Sequence, residues 1–135
     1  VCGILSGTLA SLTGIFVLCM LFGFNHQQYV TMLPKSITTA IGIGISEELG
    51  GIVTITVAVI IITGILGNVI ADTVFHIFKI KNPLAKGLAL GTASHAIGTA
   101  RAIEMGPVEG AMSSLAVAVA GLLTVVFISG FAQFI

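Results

Sequence analysis

Charge is scarce in this chain. Lys, Arg, Asp and Glu make up 7% of its 135 residues, where a soluble domain carries about 25%. Apolar residues supply 56%, and 17 glycines raise that share to about two thirds, which excludes a water-soluble globule. Five basic and five acidic residues cancel, so there is no positive footprint for a phosphate backbone and nucleic-acid binding is excluded. The two cysteines, Cys2 and Cys19, fall in one apolar run. A helical rise would hold them ~25 Å apart along one axis, which excludes a disulfide between them, and they have no metal-ligand spacing.

Catalytic signatures are missing as well. No HExxH, GxSxG or P-loop occurs, and Gly-Ile-Gly-Ile at 42–45 lacks the spacing and the strand of a nucleotide fingerprint. No enzyme, cofactor or metal is expected. The chain begins at Val1 with no initiator Met, basic leader or small-residue cleavage site, so the expectation is a single transmembrane domain over 1–135, forming the C-terminal part of a longer protein.

Three stretches meet the requirement of about 20 mainly apolar residues for crossing the bilayer: residues 3–24, 52–75 and 111–135. None contains Lys or Arg. Ser6, Ala10 and Gly14 repeat at spacing four on the first, a small-residue face suited to close helix packing and hence to a homodimer. Residues 33–50 and 83–106 are apolar but interrupted by Gly, Ser and Thr. Non-helical backbone survives at membrane depth only where protein or a wet cavity covers it. The predicted fold is therefore all-α: a polytopic membrane protein with three regular transmembrane helices and two broken or re-entrant ones, part of a larger transporter-like fold.

The two interrupted segments align at an offset of 56. TTAIGIGISEELG at 38–50 and SHAIGTARAIEMG at 94–106 share Ala-Ile-Gly, a Glu and the closing Gly, and each precedes a long apolar run. Paired Gly-interrupted segments are a sequence pointer to a transporter site. Lys79, Lys81 and Lys86 crowd one connection and Lys35 heads the first interrupted segment, which places these ends in the cytoplasm.

Ionisable side chains inside such segments are functional hypotheses by default, so His95 and Arg101 lead the candidates. Beside His95, Thr92 or Ser94 would cap a restarted half-helix whose free N–H groups suit a small carboxylate. The competing expectation makes His95 a hydrogen-bonded packing residue and pairs Arg101 with Glu104 three positions on. Thr38 and Thr39 supply hydroxyls in the first segment, as do Ser36 and Ser46. Lys35 could reach an anion, but snorkelling to the head groups is the favoured expectation. Asn68, Asp72 and His76 form a stripe at spacing four. In that stripe Asp72 is either a proton-coupling carboxylate or an interfacial group neutralised by His76 or Lys79.

The run KNPLAKGLALGTASHAIGTARAIEMGPVEGAMSSLAVAVAGLLTVV at 81–126, with LPKSITTAIGIGISEELGGI at 33–52 and ITGILG at 62–67, closely resembles the LrgB/CidB family of bacterial inner-membrane proteins. The resemblance implies a multi-pass protein of the bacterial inner (plasma) membrane and two alternative roles. One is modulation of murein hydrolase export and autolysis beside a small holin-like membrane partner. The other is transport of small monocarboxylates such as pyruvate or glycolate, as in the plastidial glycolate/glycerate translocator. Hydroxyl-bearing broken segments favour the second, with autolysis control downstream of it.

Overall fold

The computed structural model describes residues 1–134, and among them every regular element is helical. Six helices follow in order: α1 (Cys2–Phe22), α2 (His26–Met32), α3 (Thr39–Leu49), α4 (Val53–Ile77), α5 (Pro83–Met105) and α6 (Pro107–Phe131). Helices α1, α4 and α6 are long and apolar enough to cross a membrane. Large apolar side chains line the outside of α4, with Ile62, Leu66 and Val69 all more than half exposed. Such a surface needs lipid or protein rather than water against it.

Local chemistry sets the boundaries. Gly23 ends α1 in the left-handed conformation, which glycine adopts without a Cβ penalty. Asn25 and Gln28 then open α2 with a reciprocal capping box: the Gln28 N–H donates to Asn25 Oδ1 at 2.9 Å and the Asn25 N–H to Gln28 Oε1 at 3.1 Å. Asn82 accepts from the Leu84 N–H at 2.9 Å, with Pro83 in the first turn of α5, where its missing donor costs nothing.

Helix α5 packs most extensively on α6, and also on α4 and α1, while α3 packs on α4 and α2. The main apolar core joins α1, α2, α3 and α6 through Leu12, Ile15, Tyr29, Leu33, Ile45 and Ile128. The Tyr29 hydroxyl donates to the Phe131 carbonyl at 2.7 Å, tying the short α2 to the end of α6. Tyr29→Phe is expected to cost about 1 kcal/mol, read as a lowered thermal midpoint in detergent. A buried hydroxyl chain fastens α3 and α4 to α2: Ser46 bonds Thr56 at 2.8 Å and Thr56 donates to the Thr31 carbonyl at 2.9 Å. Ser46 is thus structural.

The repeated motif recurs in the order of the elements. Helix α3 precedes the 25-residue α4, and the half of α5 after His95 precedes the 25-residue α6. Gly42 and Gly98, equivalent in the alignment, are both buried. The two copies differ in their backbone: Gly42 and Gly44 lie inside the regular helix α3, whereas α5 is kinked at His95. Nor do the segments at 38–46 and 94–101 pack face to face, because α4 lies between them. The Ile60 side chain fills the space beside Gly42 while the Ile60 carbonyl meets the His95 ring.

Candidate functional site

The kink in α5 is the most strained point of the described backbone. His95 has φ 44 and ψ −136, a region that non-glycine residues visit at a cost of about 1–3 kcal/mol. Four residues around it accommodate this conformation. Gly64 and Gly67 of α4 leave room for the approach: a Cβ on Gly64 would lie 2.9 Å from His95 Nε2, and one on Gly67 would overlap the Ser94 hydroxyl. The His95 Nε2–H donates to the Ile60 carbonyl at 2.9 Å, since a carbonyl can only accept. The Thr99 hydroxyl then donates to the His95 carbonyl at 2.9 Å. His95→Ala is expected to cost about 2–4 kcal/mol, combining the emptied Gly64 notch and the lost hydrogen bond, seen as a lower melting temperature in detergent.

One turn before the kink, a cavity of about 920 Å³ opens between α1, α4 and α5, lined by Ser6, Ser11, Ser36, Thr63, Thr92 and Ser94 among others. Lys35 is its only cation. The Lys35 amine donates to Ser36 Oγ at 2.8 Å and to Ser11 Oγ at 3.3 Å. Ser11 lies at the middle of the membrane-capable helix α1, so Lys35 turns inward along the centre of that helix instead of reaching out past its end. Both ion pairs among the described residues belong to Arg101, so the Lys35 charge faces the cavity without a carboxylate. The Thr92 hydroxyl, buried on the same wall, has no hydrogen-bond partner, and a buried unmade bond costs about 1–3 kcal/mol.

The residues expected from sequence divide accordingly. Thr92 and Ser94 line this cavity; His95, Arg101, Thr38 and Thr39 do not. Thr38 is the N-cap residue of α3 without a side-chain cap bond, and Thr39 follows it in the first turn. Arg101 is bound by Glu104 at 2.7 Å and by Asp72 of α4, so Asp72 is neutralised by an arginine 29 positions away rather than by His76 or Lys79. Asn68 donates to the Ile97 carbonyl at 3.2 Å and, with the Asp72 pair, fastens α4 to the second half of α5. Half-exposed pairs of this kind contribute about 0–1 kcal/mol each, so Arg101→Gln is expected to leave the melting temperature within a few degrees of wild type. Sequence reasoning passed over Ser11 and Thr63, and set Lys35 aside; their signal was hydroxyls on three separate segments, which only the fold converges.

A family model described as the LrgB-like family matches residues 1–134. The chain belongs to the LrgB-like family. Among curated LrgB relatives, proteins named "Antiholin-like protein LrgB" from Bacillus cereus (strain B4264) and Bacillus anthracis (strain CDC 684 / NRRL 3495) are each 43% identical over 132 residues, covering 98% of this chain and 57% of the relative. This LrgB-like chain thus spans somewhat over half the length of those relatives. No solved structure matches it. Family membership and three membrane-capable helices make it a multi-pass cell-membrane protein.

Proposed function

We propose that the chain forms part of an antiholin-like membrane protein, which with a small holin-like membrane partner modulates murein hydrolase export and autolysis. Its support is the name carried by the 43%-identical relatives, together with broad apolar helix faces left open to partners, such as Leu115, Leu122 and Val126 of α6. A homodimer through the small-residue face of α1 is compatible with Gly14, around which a side chain would meet nothing within 4 Å. The test is autolysis after a detergent challenge in cells that produce or lack the whole protein. Slower lysis in producing cells is expected, and equal lysis rates would end the proposal.

Transport of a small organic anion is the second reading, and one observation favours it: a lysine without a carboxylate partner, beside the middle of α1, faces a cavity that carries six hydroxyl side chains among otherwise mostly apolar ones. A charge in that position is costly unless something neutralises it, and a carboxylate of pyruvate or glycolate size would do so while accepting from Ser11, Ser36 and Thr92. The volume falls in the range of small-molecule pockets, about 300–1,000 Å³. In this reading Thr92 and Ser94 are substrate-side residues, and Lys35 takes the cationic role that the sequence reserved for His95 and Arg101. The kinked α5 then serves as a broken element of a larger transporter-like fold. Liposomes holding the whole protein should take up labelled pyruvate but not a neutral solute of equal size; equal flux of both would point to a passive pore.

A further inference from the structure

A second cleft lies where α4 ends and α5 begins. It encloses about 560 Å³ and is lined by Lys79, Lys81, Lys86, His76, Asp72 and Phe75 among others. Three of the chain's five basic residues therefore share one cleft, and none of the three forms an ion pair with a described residue. Asp72, the only acid on the wall, is held by Arg101, so the cleft is left positive. Its shape is set by the backbone: Lys79 adopts φ 54, and the chain folds back so that the Ile80 N–H donates to the Phe75 carbonyl at 2.8 Å. The Lys86 amine lies 5.8 Å from the centre of the Phe75 ring.

Phe75 also walls a neighbouring cavity of about 160 Å³ between α4 and α5, which adjoins the 920 Å³ cavity and shares Gly67, Ile70, Ala89, Ala93 and Ser94 with it. Apart from Ser94, every side chain lining that groove is apolar. Ile77 and Phe78, between the cleft residues His76 and Lys79 in sequence, are exposed. Since the apolar span of α4 ends at Ile77, the lysine cleft lies level with the membrane surface, while the groove descends into the hydrocarbon. A cationic head site above an apolar channel matches one kind of molecule: a phosphate-bearing head joined to an acyl chain.

We infer that this cleft and groove hold one anionic phospholipid, its phosphate between Lys79, Lys81 and Lys86 and one acyl chain lying along Ala89 and Ala93. A soluble phosphate would use the lysines but gain nothing from the groove, and a zwitterionic lipid, having no net charge, would fill the groove but leave the positive charge of the cleft unneutralised. Basic pockets between transmembrane helices bind anionic head groups on this principle.

The test uses the whole protein in phosphatidylcholine membranes with a minor share of spin-labelled lipid, reading the immobilised fraction by electron spin resonance. Spin-labelled phosphatidylglycerol should be held over labelled phosphatidylcholine by roughly fivefold or more, given the attraction of each lysine for an anionic head. The combined K79Q, K81Q and K86Q variant should bring the two to parity, and Ala89→Phe should weaken retention by filling the groove. Lys79 and Lys81 are exposed and Lys86 is half-buried over the Phe75 ring, a contact of modest strength at such a site, so the triple variant should melt within a few degrees of wild type. Parity in the wild type, or selectivity unchanged in the triple variant, would overturn the assignment. Displacement of the labelled lipid by millimolar glycerol 3-phosphate would overturn it too, in favour of a soluble phosphate.

Discussion

Gly91→Val is expected to lower the melting temperature of the whole protein in detergent by roughly 6 to 12 °C and to cut its folded yield, through overpacking worth about 3 kcal/mol. The cause is the closeness of α5 and α6, the most extensive helix pair in the fold. A Cβ on Gly91 would fall on the Ser113 carbonyl oxygen and 2.8 Å from the Ala116 Cβ. Backbone cannot rotate aside as the end of a long side chain can. Relief therefore requires the two helices to part, which also pulls Thr99 from Ser113, where their hydroxyls meet at 2.8 Å. In lipid this matters more than in water, because packing and hydrogen bonds between helices replace the hydrophobic drive that hydrocarbon cannot supply. Gly44→Val is the matched control, since nothing lies within 4 Å of a Cβ there. Equal melting temperatures for wild type and Gly91→Val would show that the helix pair is not held by this contact.

How far the sequence could be read follows from the range of each signal. Long apolar runs are local, so the regions of α1, α4 and α6 were visible, as was the kinked stretch around Gly91 to His95. Termini written in neighbouring residues, such as Asn25 with Gln28, are local as well. Partners across the fold are not. The acceptor for His95 is the carbonyl of Ile60, a group every residue has, so no side-chain pattern could announce it. Arg101 carried the signal of an isolated charge in a membrane segment, yet Asp72, on another helix, neutralises it. The expectation that two glycine-bearing segments unwind beside each other failed at α3, because glycines can also serve close packing: Gly42 makes room for the Ile60 side chain. Lys35 was set aside because a lysine near a segment end ordinarily reaches outward. Whether it turns in depends on Ser11, a residue 24 positions earlier.

On the transport reading, Lys35→Gln is expected to reduce uptake of labelled pyruvate by liposomes roughly 10- to 150-fold, the equivalent of one charge-assisted hydrogen bond of about 1.5–3 kcal/mol. The amide keeps much of the side-chain length and can still bond Ser11 and Ser36, so the cavity wall should survive while the charge is lost. Lys35→Arg keeps the charge but replaces a compact ammonium by a planar fork, and should retain part of the activity if charge is what the solute needs. Thr92→Val serves as a second probe with the opposite structural sign. It removes a buried hydroxyl that has no partner in the fold, so the protein should be no less stable, and an isosteric apolar group there can be slightly stabilising. Uptake should nonetheless fall, because the hydroxyl's only use would be the solute. Should Lys35→Gln and Thr92→Val both transport at the wild-type rate, the cavity beside Lys35 is not the path of the anion, and the antiholin-like role would stand without it.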